Sequence, residues 1–307
     1  MRLDTSILSC SHAGGMGSTS FVGGVSDGTV GSVAFDFVGP FTEKLVAHKN
    51  MFFFEDFYIM SSSNISAISS TTSALVVSSI EQRRMFNTTA FSSSGIIPAG
   101  SNITLDPSTT QWIWSDNVGY LLLDIDQLNT KLHVSTMIQT GSWESIGAHV
   151  GSVSVPMFSF YLEHLSVTNA SYSIAVVPNI DLKEWKSIFS DLHSEINVIS
   201  NNEYENIVIF GNVCFATFYP GSSPTFNAGI GWNITVSMPG TYLFVNSGDN
   251  FTAYVGNPVQ KQFNASILID LAVQSSGNCS YSNNLASIAV SNPSNDGNTV
   301  SSSCMLI

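Results

Sequence analysis

Residues 21–37 read FVGGVSDGTVGSVAFDF, from Phe21 to Phe37. The half from Val30 onward is rich in β-branched and aromatic residues, which suits a pleated, partly buried strand. The half before it is a turn. Asp27-Gly28 carries ordinary turn chemistry, and Gly23, Gly24 and Gly28 give the backbone conformations closed to other residues. Because these glycines lead into a strand and not a helix, they present no helix N-terminus to a phosphate. A nucleotide-binding loop is excluded.

Strand-like runs of the same kind recur outward through the chain. Met51–Met60, Gly119–Ile125, Lys131–Gln139, Val153–Leu162, Ile207–Tyr219, Phe251–Val255 and Leu285–Val290 are examples, most of them bounded by Gly, Pro, Asn or Ser. Runs this regular and this β-rich read as stacked antiparallel sheets, so the expected fold class is all-β. One segment departs from the pattern. Across Asp181–Ile196, the residues Leu182, Trp185, Ile188, Phe189, Leu192 and Ile196 recur at spacings of three and four, which predicts a helix. Asp181 is its expected N-cap, with Glu184 completing a capping box, and Trp185 is a core residue. The run Pro220-Gly221-Ser222-Ser223-Pro224 punctuates two strand-rich stretches and is read as a linker. A large domain is expected over residues 1–221 and a smaller β-sandwich over 222–307.

Charge excludes several partners. Only 10% of residues are charged, so solubility rests on Ser, Thr, Asn and Gly, as in secreted β proteins. The formal net charge is −13 and Arg83-Arg84 is the only adjacent basic pair, which argues against nucleic acid. A basic groove for a polyanion is expected outside this segment. No run reaches the ~18 apolar residues of a membrane span. The first residues, MRLDTSILSCSHAGG, lack a signal peptide's apolar stretch, so any secretion signal is expected upstream.

Of the cysteines Cys10, Cys214, Cys279 and Cys304, none has zinc-site spacing. Two readings stay open: buried free thiols, or a disulfide, for which Cys279 and Cys304 are the natural pair. Asn-x-Ser/Thr sequons mark Asn64, Asn87, Asn102, Asn169, Asn233, Asn250, Asn264 and Asn278 as glycosylation candidates. A chain so rich in these residues approaches that number by chance.

Signatures of catalysis are missing. There is no GxSxG elbow, no HExxH and no phosphate-binding glycine loop. The histidines at 12, 48, 133, 149, 164 and 193 form no i, i+4 pair. Asp124 and Asp126, two apart on a strand, read as a solvated face more readily than as a glycosidase pair.

Several short motifs taken together are more informative. FVGGVSDGTVGSVAFDF resembles the opening of the central β domain of polysaccharide lyase family 8, the hyaluronate, chondroitin and xanthan lyases. Lys49–Asp56 (KNMFFFED) is similar to the family's K-S-W-F-F-F strand, and Val77–Gln82 (VSSIEQ) to its V-T-T-L-D-Q segment. Trp114–Leu121 (WSDNVGYL) resembles W-H-D-G-V-G-Y, and Gly141–Gly147 (GSWESIG) resembles G-x-W-x-x-I. Tyr172–Asn179 (YSIAVVPN) and Val255–Gln260 (VGNPVQ) are similar to Y-x-Y-x-x-x-P and D-P-T-Q. The matches keep the family's order. Met51, Ser115, Ile174 and Asn257 depart from its Trp, His, Tyr and Asp, as in a diverged, fungal-like member.

The resemblance implies a galactose-mutarotase-like β-supersandwich followed by a smaller C-terminal sandwich. It implies β-elimination on an acidic polysaccharide, with no cofactor. Proton removal at C5 of a uronate needs a group that neutralises the carboxylate and a base in reach. The family holds these on an N-terminal α/α toroid, the implied partner of this β domain, and no residue here matches them. The expectation is an extracellular chain that is inert alone. The rival reading is a non-catalytic carbohydrate-binding or adhesive β-sandwich protein. Ser26 and Asp27 are the substrate contacts implied, against the alternative that they only form a turn. Trp114 and Trp143 are read as buried framework before sugar platforms.

Overall fold

The computed structural model describes residues 19–39, 45–67, 75–87, 89–145, 147, 149–166, 168–222, 225–227, 233–270, 277–283, 285–292 and 298–306. The chain divides into two units. One comprises Met1–Glu55, Met60–Thr72 and Ile196–Ile307, the other Asp56–Ile59 and Ser73–Glu195. The strands pair antiparallel, as Val22–Ser26 does with Gly31–Val38, Val118–Ile125 with Ala170–Pro178, and Thr130–Ser135 with Ser152–His164, and the fold is the β-supersandwich type expected.

The chain opens with β1 (Val22–Ser26), β2 (Gly31–Val38), β3 (Leu45–Phe53) and β4 (Tyr58–Ala67), neighbours in that order, and all of these but the first two residues of β4 fall in the first unit. The run expected as one strand over Met51–Met60 is broken after Phe53. Glu55 and Asp56 are exposed and turn the chain, since two adjacent carboxylates resist burial in a sheet.

The second unit contains β5 (Val76–Arg84), β6 (Ala90–Ser92), β7 (Gly95–Ile97), β8 (Asn102–Leu105), β9 (Trp112–Ser115) and β10 (Val118–Ile125). It continues with β11 (Thr130–Ser135), β12 (Ile138–Ser142), β13 (Ser152–His164), β14 (Ala170–Pro178) and α1 (Leu182–Glu195). Strands β14-β10-β9-β6-β7 run side by side, and β12-β13-β11-β8 form a second sheet with β5 on β13. Tyr120 of β10 meets Phe158 and Phe160 of β13 at ring centroid distances of 5.8 and 5.7 Å, joining the two layers. The helix is where the spacing put it. Glu184 N–H donates to Asp181 Oδ1 at 2.8 Å, and Trp185 is fully buried. The Trp185 ring lies over Gly119, whose absent Cβ would stand 2.5 Å from it, so the glycine of WSDNVGYL is a seat for an indole.

Back in the first unit, β15 (Ile196–Asn201), β16 (Glu205–Phe210), β17 (Val213–Phe218), β18 (Thr225–Asn227), β19 (Asn233–Val236) and β20 (Gly240–Asn246) follow. Then come β21 (Asn250–Gly256), β22 (Phe263–Ile269), β23 (Cys279–Ser282), β24 (Leu285–Asn292) and β25 (Val300–Met305). The orders are β15-β16-β17-β20-β21-β25 and β18-β19-β22-β24-β23. Between these sheets lies one core, with Ile207, Phe218, Ile234, Phe244, Phe251, Ile267 and Ile288 all fully buried. Strand β22 alternates buried and exposed residues without exception, as a strand with one face on a core must.

Two sequence readings meet the structure differently here. The run Ile207–Tyr219 is two strands, because Gly211 takes φ 57° and closes a two-residue hairpin with Asn212. The boundary expected between residues 221 and 222 falls inside a sheet. Strand β17 pairs with β20 from Val213↔Val245 to Phe218↔Gly240, so residues on both sides of the linker share one ladder. Ser223 and Pro224 of that linker lie outside the described residues. Cys279 is bonded to Cys304, with Cα atoms 5.9 Å apart, which ties β23 of one sheet to β25 of the other. Cys214 is buried as a thiol, and Cys10 lies outside the described residues.

Candidate functional site

The GGVSDG turn joins β1 to β2, and its glycines have a packing reason. A Cβ on Gly24 would fall 2.2 Å from the Ser32 carbonyl oxygen. One on Gly256 would fall 2.1 Å from the Gly24 carbonyl oxygen, and Gly23 lies against Pro258. Val22 N–H also donates to Pro258 O at 3.2 Å. The motif near residue 24 and the VGNPVQ motif near residue 257 therefore meet backbone to backbone, which no side chain other than hydrogen allows. Asn257, where the family has Asp, still holds this turn. Its Oδ1 accepts from Val259 N–H at 3.1 Å and its Nδ2 donates to Lys261 O at 2.8 Å.

Ser26 and Asp27 are both exposed at the tip. Asp27 Oδ1 accepts from Thr29 N–H and Val30 N–H at 2.8 and 2.9 Å. Ser26 Oγ donates to Val30 O at 2.8 Å and accepts from Gly28 N–H at 2.9 Å. Both side chains thus hold the turn closed, while Ser26 N–H donates to Thr299 Oγ1 at 3.2 Å. Beside the turn runs an open trough of about 380 Å³, lined by Gly24, Val25, Ser26, Thr29, Val30, Gly31, Ser32, Val33, Phe53 and Thr299. Phe53 and Val33 leave 39% and 45% of their surface exposed along it. Ser32 Oγ is buried with no hydrogen-bond partner among the described residues.

That wall can do a limited set of things. A half-exposed phenyl ring suits the C–H face of a sugar, and hydroxyls at Ser26, Thr29 and Thr299 suit its hydroxyls. Among the described residues that line the trough, none carries an acidic or basic side chain. Phe53 and Thr299 were not foreseen as trough residues. Phe53 stands in the phenylalanine run of KNMFFFED, but which of those rings faces outward depends on strand register. Thr299 arrives from the far end of the chain.

The remaining candidates are scattered. Trp114 is buried and donates its indole N–H to Ile180 O at 2.9 Å, a framework role. Trp143, expected as framework, is 49% exposed on a single 3₁₀ turn, Trp143–Ser145, which follows a strand, β12, whose residues Ile138–Gly141 are all exposed. Asp126 caps its own turn, accepting from Leu128 N–H, Asn129 N–H and Asn129 Nδ2. His48 stacks on Tyr219 at 3.7 Å, His133 pairs with Glu163 at 2.6 Å, and His164 lies 2.9 Å from Ser78 Oγ. His149 and His193 are exposed, and His12 lies outside the described residues. Among the described residues no group of His, Cys, Asp and Glu could hold a metal ion.

The model of polysaccharide lyase family 8, super-sandwich domain, matches residues 2–188. Among solved structures the chain is similar to a chondroitinase AC lyase, with TM-score 0.77 and 21% identity over 94% of this chain and 40% of that one. It is similar to a Paenibacillus xanthan lyase, with TM-score 0.78 and 17% identity over 94% and 29%. A Streptomyces coelicolor A3 chondroitin AC lyase gives TM-score 0.72 and 16% identity over 94% and 36%. The chain therefore spans less than half the length of each of these proteins. No curated protein matches the sequence.

Proposed function

The chain belongs to polysaccharide lyase family 8, and on that ground we propose that it is the β part of an enzyme cleaving a uronic-acid-containing polysaccharide by β-elimination. The match to the family's super-sandwich domain carries the reading. The polymer is of hyaluronate, chondroitin or xanthan type. In this proposal the trough beside the GGVSDG turn is an uncharged wall for the polysaccharide, with Ser26 and Asp27 at its rim facing sugar hydroxyls. An anionic Asp27 repels a uronate carboxylate, so only hydroxyls suit it.

Elimination removes the proton at C5 of the uronate and expels the 4-linked sugar, leaving an unsaturated product. It needs a cation or strong donors on the carboxylate, and a base within hydrogen-bond reach of that proton. The described trough residues carry no acidic or basic side chain, and in this proposal these groups belong to an α/α toroid of the same parent protein. A secreted setting completes it. The Cys279–Cys304 bond supports this, because disulfides persist in oxidising compartments. So does the exposure of Asn87, Asn102, Asn169, Asn233, Asn250, Asn264 and Asn278, although Asn64 is half-buried.

The uncharged lining of the described trough also favours a second reading, a carbohydrate-binding β protein with no catalysis. Ultraviolet absorbance of unsaturated uronide separates the two. The 307-residue chain is compared with the same chain joined to a family α/α toroid, on hyaluronate, chondroitin and xanthan. The expected result is turnover only by the joined protein. Silence of the joined protein on all three polymers would leave the binding reading, and turnover by the chain alone would overturn the division of labour.

A further inference from the structure

The only adjacent basic pair in the sequence is split by the fold. Arg83 turns inward: its guanidinium lies 3.4 Å from Asp116 Oδ2 and 3.8 Å from Glu81 Oε2, and it donates to Ser115 O. Arg84, next along β5, is exposed, and its guanidinium carbon stands 5.6 Å from the centroid of the Phe86 ring. Among the described residues no carboxylate oxygen comes within 4.0 Å of Arg84. Phe86 is 81% exposed.

A lone exposed phenylalanine needs no explanation. This one is held in place. Its backbone N–H and that of Asn87 each donate to Asp116 at 2.8 Å, one to each carboxylate oxygen. The Asp116 side chain is only 6% exposed, and its charge is compensated by Arg83 and those two amides. Met85, the residue before, is buried and donates its N–H to Pro156 O at 2.8 Å. The local acids are thus engaged, and an uncompensated cation is left beside an anchored, solvent-facing ring. In a chain of net charge −13, that placement favours an anion carrying an apolar face.

We propose that Arg84 and Phe86 form a subsite for an acidic sugar, the guanidinium meeting the uronate carboxylate and the phenyl ring meeting the C–H face of the pyranose. The substrate class rests on the reading of the chain as part of a lyase for acidic polysaccharides, while the site rests on the geometry just given. A carboxylate fork on a guanidinium and a sugar on an aromatic plate are both ordinary modes of recognition.

The test is affinity electrophoresis of the 307-residue chain through gels containing hyaluronate, chondroitin sulfate or neutral hydroxyethyl cellulose. Retardation is expected in the acidic gels alone, weakening as salt is added. Arg84→Gln and Phe86→Ala are each expected to weaken it about tenfold, the loss of one charge-assisted or stacking contact. Arg84→Lys should fall between. Lys183→Gln removes an exposed helix cation and should change nothing. Both site residues are exposed, so unchanged melting temperatures accompany these effects. Equal retardation of wild type and both variants overturns the proposal, as does retardation by hydroxyethyl cellulose to the same degree. No retardation in any acidic gel also overturns it. If the toroid-joined protein lacks lyase activity while Arg84-dependent retardation persists, the lyase reading fails and the subsite stands.

Discussion

Gly119 and Gly24 show how little room single residues leave in this fold. A methyl at Gly119 would sit 2.5 Å from the Trp185 ring, and one at Gly24 would sit 2.2 Å from a backbone carbonyl. The indole can shift; the carbonyl belongs to a paired strand and cannot do so without moving β2. Gly119→Ala is therefore expected to cost about 1–3 kcal/mol by overpacking, read as a lower midpoint in urea. An unchanged midpoint would mean that the ring has space to retreat. Asp27 presents the opposite case, an exposed residue whose Oδ1 closes a turn. Asp27→Ala is expected to lower the melting temperature by roughly a few degrees, since two amides lose their acceptor. In the toroid-joined enzyme, kcat/KM is expected to fall about threefold to tenfold as well, since the proposed contact with a sugar hydroxyl is lost with the carboxylate. An unchanged kcat/KM would leave Asp27 as a turn residue alone.

At the scale of elements, the helix and most strands were legible because their signals are local. The three-and-four spacing over Asp181–Ile196 and the Asp181–Glu184 cap need no distant partner, and α1 spans Leu182–Glu195. Breaks inside apolar runs were harder to see. Gly211 ends β16 although the residues on both sides favour strand, and only pairing energy between β16 and β17 decides for a hairpin. The link between β23 and β25 lies beyond local signals as well. Cys279 and Cys304 enclose a 25-residue separation and join two sheets, so replacing both by Ala is expected to destabilise the chain by about 3 kcal/mol. Denaturant unfolding of that variant, compared with the oxidised protein, measures it. No difference would mean that the core between the sheets suffices.

Across the whole molecule, buried histidines set a pH limit. Burial holds the His48 imidazole below its ordinary value of 6.5, against smaller upward pulls from Asp36 and Glu203. Burial lowers His164 likewise, against Asp126. In the unfolded chain both take up protons near 6.5, while the folded chain resists until lower pH. Stability is thus intact above about 6.5 and declines on acidification until the folded-state values are passed. Melting temperatures measured from pH 8 down to pH 5 are expected to fall below about 6.5, and less so in a His48→Gln/His164→Gln variant. A flat profile in the wild type would show that neither histidine resists protonation. Asp106 acts in a lower window, because hydrogen bonds from Ser108 hold its carboxyl below 3.8.

The sequence by itself determined the fold class, the helix α1 and the family, because strand propensity, helical period and short motifs are written in neighbouring residues. It also contained every residue of the trough and of the Arg84–Phe86 pair, without showing that they meet. Only the tertiary structure brought Gly24 against Gly256, Thr299 beside Ser26, and Asp116 under Phe86. It also placed β15–β17 in one sheet with strands beyond the expected linker. Those outcomes depend on strand register and on which face of each strand is covered. A shift of one residue sends every side chain of a strand to the other face, so neither outcome can be read from composition along the chain.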